Sequence, residues 1–122
     1  MAKFVRFEEI VAWQKARALT SLVYKAVRVG EFARDYGMRD QFTRASLSIM
    51  NNVAEGFGRK NHKEFARFLE IAKGSAFEVQ SISYAALDNN YINESQRAQI
   101  HALADETAAL ISGLANYLRK NV

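Results

Sequence analysis

The sequence predicts an all-α fold: an antiparallel up-down-up-down four-helix bundle that forms a single domain, residues 1–122. Apolar residues recur at steps of three and four along four segments, as one face of an α-helix requires. Short polar turns separate these segments, and long helices joined by short turns pack best as antiparallel neighbours. The 122 residues include no proline, so nothing in the chain interrupts long helices.

The first helix is expected over residues 8–29. Glu8 and Glu9 fall in its first turn, where the helix dipole favours anions, and Gly30 follows as a C-terminal stop. The apolar positions that form its inner face are Ile10, Trp13, Ala16, Thr20, Val23 and Val27.

The second helix, expected over residues 38–55, carries two apolar stripes. One should face the bundle core and consists of Met38, Phe42, Ala45, Ile49, Val53 and Phe57. The other is displaced around the helix and consists of Leu47, Met50 and Ala54. Because a surface helix needs only one apolar stripe, we expect the second to contact another copy of the chain. Gly56 and Gly58 are expected to end this helix.

The third and fourth helices are expected over residues 62–87 and 93–119. Asn61 and Asn93 are each followed three residues later by Glu64 and Gln96, a pattern that resembles a capping box. Gly74 lies in the middle of the third helix, where glycine costs about 1 kcal/mol relative to alanine. We therefore expect a neighbouring backbone or bulky side chain to pack closely against Gly74.

Apolar spacing supports both helices. The inner face of the third is expected to contain Phe65, Phe68, Leu69, Ala72, Val79, Ile82 and Ala86. The fourth has a seven-residue repeat at Ile100, Leu103, Thr107, Leu110, Leu114 and Tyr117. Such a repeat is the seam expected of coiled-coil-like bundle packing.

The charge is unevenly distributed along the chain. The formal net charge is +4, and residues 1–60 hold 11 basic and 6 acidic side chains. A basic region can attract nucleic acid, although a solvated charged surface is the simpler interpretation. The candidate phosphate contacts are Arg39, Arg59, Lys60 and Lys63, with Lys15, Lys25 and Arg28 as further candidates.

Several function classes find no support in the sequence. There is no cysteine, which excludes disulfides, thiolate zinc sites and a cysteine nucleophile. Neither His62 nor His101 has a glutamate three residues before it, as a di-metal bundle site requires. We therefore assign no catalytic residue, no cofactor and no metal. No apolar run has the length of a secretory signal or a membrane span, so we expect a cytoplasmic protein that does not contact membranes.

Polar residues on the second and third helices should fix how these helices pair. If the turn at residues 56–61 reverses the chain, Arg44 lies opposite Ser75 and within reach of Glu78, while Ser48 lies opposite Ile71. We interpret the set as a structural polar network that fixes register. Its members are Gln41, Arg44, Ser48, Asn52, Glu55, Ser75 and Glu78.

The segment from Gln41 to Gly56 resembles the family of proteins encoded in 23S rRNA intervening sequences. The family pattern reads roughly Q-x-x-R-A-x-x-S-I-x-x-N-I-A-E-G, and here Val53 replaces the usual isoleucine. The resemblance extends through Glu64, Gly74 and Glu78 and covers almost the whole chain. It implies a cytoplasmic four-helix bundle, often a ring-like pentamer. It also relates the chain to the accessory variability protein of diversity-generating retroelements, which binds nucleic acid and a reverse transcriptase.

These observations predict a non-enzymatic homo-oligomer, a pentamer by the resemblance, with weak nucleic-acid binding that does not depend on sequence. Its partners would be other copies of the chain and RNA or DNA. The alternative is a protein-interaction module that does not bind nucleic acid.

Overall fold

Four antiparallel helices form the computed structural model, which describes residues 4–121. The helices are α1 (Val11–Val27), α2 (Tyr36–Gly58), α3 (His62–Asp88) and α4 (Glu94–Lys120), and two short 3₁₀ turns lie at Phe7–Glu9 and Gly30–Arg34. Helices α1 and α3 each pack against both α2 and α4, so the four form a closed ring around one core. The predicted four-helix bundle is thus confirmed.

The core consists of the predicted apolar faces, except that the buried face of α4 is rotated about the helix axis relative to the predicted one. On α2 the buried residues include Phe42, Ile49 and Val53, as the first stripe predicts. On α4 every second member of the predicted seam is only half-buried. The buried row instead consists of Ile100, Ala104, Thr107, Ala108, Ile111, Leu114, Ala115 and Leu118. Small alanines on this row let α4 approach its neighbours closely.

Helix α1 is shorter than expected at both ends. Phe7–Glu9 forms a separate 3₁₀ turn, and Ile10 has an extended backbone that separates this turn from α1. The Glu9 carboxylate accepts a hydrogen bond from the Val5 amide at 2.9 Å, and the Gln14 side chain donates to the Glu8 carbonyl at 2.8 Å. These bonds stabilise the turn and compete with a continuous helix.

Helix α2 is longer than expected because its caps differ from those predicted. It begins at Tyr36, where the Asp35 carboxylate accepts a hydrogen bond from the Met38 amide at 3.0 Å. It continues past Gly56 and ends at Gly58. Gly56 therefore does not end the helix as expected, since it is buried inside the last turns of α2.

The close helix approach lies at Gly56 and not at Gly74, which corrects the expectation. A Cβ added at Gly56 would lie 2.7 Å from Phe68 Cβ and 2.9 Å from Phe65 Cδ1. A Cβ added at Gly74 would meet no atom within 4 Å, since Gly74 is exposed. Gly56 is thus the residue that lets the end of α2 pack on the start of α3.

The predicted caps of α3 and α4 form to different extents. On α4, the Asn93 side chain accepts from the Gln96 amide and the Gln96 side chain accepts from the Asn93 amide, both at 2.8 Å. On α3, Asn61 accepts from the Glu64 amide at 2.9 Å. The Glu64 carboxylate accepts from Arg67 and does not close the box. The full capping box is therefore confirmed only at α4.

At the end of the bundle where α2 begins and α3 ends, one hydrogen bond ties the two connecting segments together. The Tyr91 hydroxyl donates to the Asp35 carboxylate at 2.9 Å, and the Tyr91 ring stacks on Phe32 with centroids 4.9 Å apart. Hydrogen bonds from the Met38 amide and from Tyr91 lower the pKa of Asp35, and the bond to Asp35 raises the pKa of Tyr91.

Tyr91→Phe should lower the free energy of unfolding at neutral pH. It should also make this free energy depend less on pH in the acid range. Because folding lowers the pKa of Asp35, its carboxylate contributes to the free energy of unfolding at pH values above its ordinary pKa of 3.8. That contribution is lost as the pH falls through the lowered pKa. The contribution of Tyr91 is present below 10.0 and is lost as the pH rises through the raised pKa. Urea midpoints at acid, neutral and alkaline pH measure these effects. Equal midpoints for wild type and variant at neutral pH would contradict this assignment.

Within residues 4–121, no helix is long and apolar enough to cross a membrane.

Candidate nucleic-acid interface

The turn between α2 and α3 places lysines around the first turn of α3. Helix α2 ends at Gly58, Lys60 has a left-handed backbone with φ of 56°, and Asn61 caps α3. Lys60 and Lys63 are exposed on either side of this cap. The helix dipole and its free amides make the same position favourable for anions.

The last turn of α4 adds a third lysine at this end. His62 Nδ1 lies 2.9 Å from the Asn121 carbonyl oxygen, so this nitrogen donates the hydrogen. The contact holds the C-terminus of α4 beside the start of α3 and brings Lys120 to the same end of the bundle. We call this region, with Lys60, Lys63 and Lys120, the basic end.

Arginines and lysines differ in their partners at the basic end. Three arginines each pair with a glutamate: Arg59 with Glu55 at 2.9 Å, Arg67 with Glu64 at 3.1 Å, and Arg119 with Glu70 at 2.7 Å. Across residues 4–121, by contrast, no carboxylate lies within 4.0 Å of the ammonium groups of Lys60, Lys63 or Lys120. The three lysines therefore supply the uncompensated positive charge.

Neighbouring cations lower the pKa of the Glu64 carboxylate. The hydrogen bonds from Arg67 lower the pKa of Glu64 most, and the charges of Arg67, Arg59 and Lys63 lower it further. Arg59 and Arg67 also lie over the Phe68 ring, 4.9 and 4.7 Å from its centroid. The arginines are thus held by neighbours, while the lysine ammoniums remain available to an external anion.

The four predicted phosphate contacts do not come together. Arg59, Lys60 and Lys63 share the basic end, but Arg39 lies at the other end of α2, about 30 Å away at about 1.5 Å per residue. Arg39 donates to the Ala33 carbonyl at 2.9 Å and lies over the Tyr36 ring at 4.8 Å. These contacts give Arg39 a structural role at the opposite end.

The further candidates are not part of the basic end. Lys15 pairs with Glu106 at 3.2 Å. Lys25 and Arg28 are exposed near the end of α1, and Arg28 lies 5.7 Å from the centre of the Tyr24 ring. Sequence reasoning missed Lys120, although the antiparallel order of the helices already places the last turn of α4 beside the first turn of α3.

The polar residues between α2 and α3 form a smaller network than expected. Ser48 and Ser75 are joined by a 2.8 Å hydrogen bond between their hydroxyls, and the Asn52 amide donates to the Ser48 carbonyl and hydroxyl. Ser48 thus faces Ser75 and not Ile71, a shift of one helical turn.

The remaining members of the predicted network lie outside it. Arg44 and Glu78 are both exposed, and no ion pair joins them among the residues described. Glu55 pairs with Arg59, and Gln41 is exposed. Of the predicted set, Ser48 and Ser75 are hydrogen-bonded across the two helices, and Asn52 supports Ser48 within α2.

Removing the Ser48 hydroxyl tests this network. Ser48→Ala is expected to cost about 1 kcal/mol of unfolding free energy, the usual net value of a hydrogen bond. Ser75→Ala should cost a similar amount, and the double variant should cost less than the sum because the two hydroxyls share one bond. Urea denaturation measures the cycle, with exposed Ser81→Ala as the control. Additive effects would show that the serines do not interact.

The predicted second stripe of α2 divides between two environments. Met50 is half-buried against the core of its own chain, so its burial needs no partner. Leu47 is half-buried and lines a shallow groove with the polar residues Asp40, Thr43 and Asn51. Ala54 is half-buried as well. The larger exposed apolar side chains of the helices lie elsewhere, among them Ile71 and Phe77 on α3.

The basic end is suited to binding anions. It offers three ammonium groups, the free amides of one helix start and an adjoining aromatic pocket. In the part of the chain that is described, no three potential metal ligands cluster together. The arrangement can thus hold phosphate groups by charge and hydrogen bonds.

Together, the helices and this end define the class of protein: a small antiparallel four-helix bundle with a lysine-bearing end. The chain belongs to the 23S rRNA-intervening sequence protein family, whose model matches residues 8–113. A crystal structure at 1.70 Å resolution has a similar fold; it is of a protein with unknown function from the S23 ribosomal protein family of Bacteroides thetaiotaomicron. The two share 20% identity and a TM-score of 0.76, over 85% of this chain and 97% of that chain. No curated protein matches the sequence.

Proposed function

We propose that this protein is a non-enzymatic, cytoplasmic homo-oligomer that binds nucleic acid at its basic end without reading sequence. The observation that carries the proposal is the contrast at this end between paired arginines and lysines without carboxylate partners. Lys60, Lys63 and Lys120 supply charge around a helix start, where phosphate oxygens can also accept hydrogen bonds from the α3 amides.

The chemistry of these lysines favours backbone contacts over base recognition. An ammonium on a flexible stem acts as a point charge and lacks the planar fork with which arginine recognises bases. The three nearby arginines that could supply such forks are bonded to glutamates. Binding should therefore be weak, similar for different sequences and strongly dependent on salt.

A filter-binding titration over salt tests the proposal. Three phosphate contacts predict that the logarithm of the binding constant falls with the logarithm of salt concentration with a slope of about −2 to −3. Random-sequence RNA or DNA should bind most tightly at about 50 mM salt. Absence of binding to both nucleic acids under that condition would overturn the proposal.

The homo-oligomer is the second part of the proposal, and a pentamer is the expected form. It is supported by apolar side chains that one chain leaves uncovered, with Ile71 44% and Phe77 51% exposed, and by the half-buried Leu47 and Ala54. Each added copy would contribute three more lysines to the same assembly and raise its attraction for polyanions. Light scattering should give about five times the 13.8 kDa chain mass. A single-chain mass would contradict this part.

A protein-interaction module without nucleic-acid binding is the alternative. The groove along the outer face of α2 favours it, since Leu47 lines this groove together with the charged Asp40 and Arg44. A partner protein bound in this groove should remain bound after nuclease treatment and at high salt. Loss of that binding in Leu47→Lys would identify the groove as its site.

A further inference from the structure

An aromatic pocket opens directly beside the lysines of the basic end. Its volume is about 480 Å³, within the range of small-molecule sites. Phe65, Leu114 and Leu118 are buried at its base, and the half-buried Phe57 and Tyr117 form part of its wall. Four elements of the chain build it: the N-terminal segment, the end of α2, the start of α3 and the end of α4.

The polar side of this pocket is positive. Lys60 and His62 are exposed and line it, and among residues 4–121 no acidic residue lines it. Phe57 and Phe65 meet edge to face with ring centroids 6.2 Å apart and planes inclined by 74°. The pocket therefore presents aromatic surface for a flat apolar group and, at its margin, a cation for an attached anion.

We propose that this pocket receives one unpaired nucleobase of a single strand, while Lys60 and Lys63 bind the adjoining phosphates. The inference rests on the proposed binding of nucleic acid at the basic end and adds the class of ligand. A nucleobase has the required flat aromatic face, and its strand supplies phosphates next to it. A base inside a duplex is stacked on both faces and cannot enter without being unpaired.

The pocket thus makes the protein selective for single strands, RNA or DNA, without making it selective for sequence. Every base has a π-face, so stacking on Phe57 or Tyr117 tolerates all of them. Stacking of the base adds to the affinity separately from the phosphate contacts, and it does not change the number of counterions released on binding. Loss of the pocket should reduce affinity and leave the salt slope unchanged.

The test measures the affinity of the wild-type protein for three probes. These are oligo(dT) of about twelve nucleotides, an abasic strand with as many phosphates, and a duplex hairpin. Oligo(dT) should bind about tenfold more tightly than the abasic strand and the duplex. A 2-aminopurine placed in the single strand should lose fluorescence on binding, because it stacks on an aromatic ring. Equal affinities for all three probes, or tighter binding of the duplex, would overturn the inference and leave the proposed function standing. No binding of any probe at about 50 mM salt would overturn both.

Two variants locate the effect. Tyr117→Leu and Phe57→Leu keep apolar volume but remove a ring, so each should bring oligo(dT) toward the affinity of the abasic strand at an unchanged salt slope. Tyr84→Leu removes an exposed aromatic ring of α3 that lies outside the pocket, and it should bind as wild type. The loss of 2-aminopurine fluorescence is measured with the wild-type protein, so it tests the inference even if a leucine variant does not fold. Full single-strand preference in both folded leucine variants would place the base elsewhere and overturn the inference.

Discussion

Gly56→Ala is expected to lower the free energy of unfolding by about 1–3 kcal/mol. The new methyl group would lie 2.7 Å from Phe68 Cβ, 2.9 Å from Phe65 Cδ1 and 3.3 Å from the Phe65 carbonyl oxygen. Phe68 Cβ and a backbone carbonyl cannot turn aside as the end of a flexible side chain can. The start of α3 must therefore move away from α2, which opens the core beneath it. Urea denaturation measures the loss.

Two other glycines provide matched controls for Gly56→Ala. Gly74 and Gly113 also lie inside long helices, and a Cβ at either would meet no atom within 4 Å. Gly74→Ala and Gly113→Ala should each raise the free energy of unfolding by about 0.5–1 kcal/mol, the gain in helix propensity. An equal gain from Gly56→Ala would show that α2 and α3 do not approach each other as described.

Removing the three lysines of the basic end should reduce nucleic-acid affinity by about tenfold per lysine at about 50 mM salt. The variant combines Lys60→Asn, Lys63→Gln and Lys120→Gln, and asparagine is chosen at position 60 because it tolerates the left-handed backbone there. The salt slope should fall toward zero, since each lost phosphate contact removes about 0.7–0.9 from its magnitude. Filter binding at several salt concentrations measures both quantities.

A second triple variant, which removes the same charge elsewhere, distinguishes binding at the basic end from general electrostatic attraction. Arg17 and Lys25 of α1, and Arg28 directly after it, are exposed, and replacing all three by glutamine removes the same charge. This control should retain the wild-type salt slope, because the contacts themselves are intact. Equal losses in the two triple variants would show that net charge, and not the basic end, attracts the strand.

The helices could be predicted because apolar periodicity reports directly on burial. Phe42, Ile49 and Val53 lie on the predicted face of α2, and all three are fully buried. Boundaries were less predictable, since a glycine can end a helix or permit close packing within it. The local sequence around Gly56 does not distinguish these roles, which depend on Phe65 and Phe68 of the next helix.

The candidate site was partly predictable for a similar reason. Arg59, Lys60 and Lys63 are neighbours in sequence, so their shared location follows from one turn. The pairing of Arg119 with Glu70 could not be predicted in this way, because these residues belong to different helices. The pocket beside the lysines was not predicted because its residues come from four separate segments, each of which reads as an ordinary apolar face.

Lysine reactivity in the bound state tests the central claim most directly. The protein is acetylated with and without oligo(dT) at about 50 mM salt, and modification at each lysine is measured by mass spectrometry. We expect the strand to protect Lys60, Lys63 and Lys120 and to leave Lys25 and Lys73 as reactive as in the free protein. A bound strand that protects Lys25 or Lys73 but not the three lysines of the basic end would contradict the account.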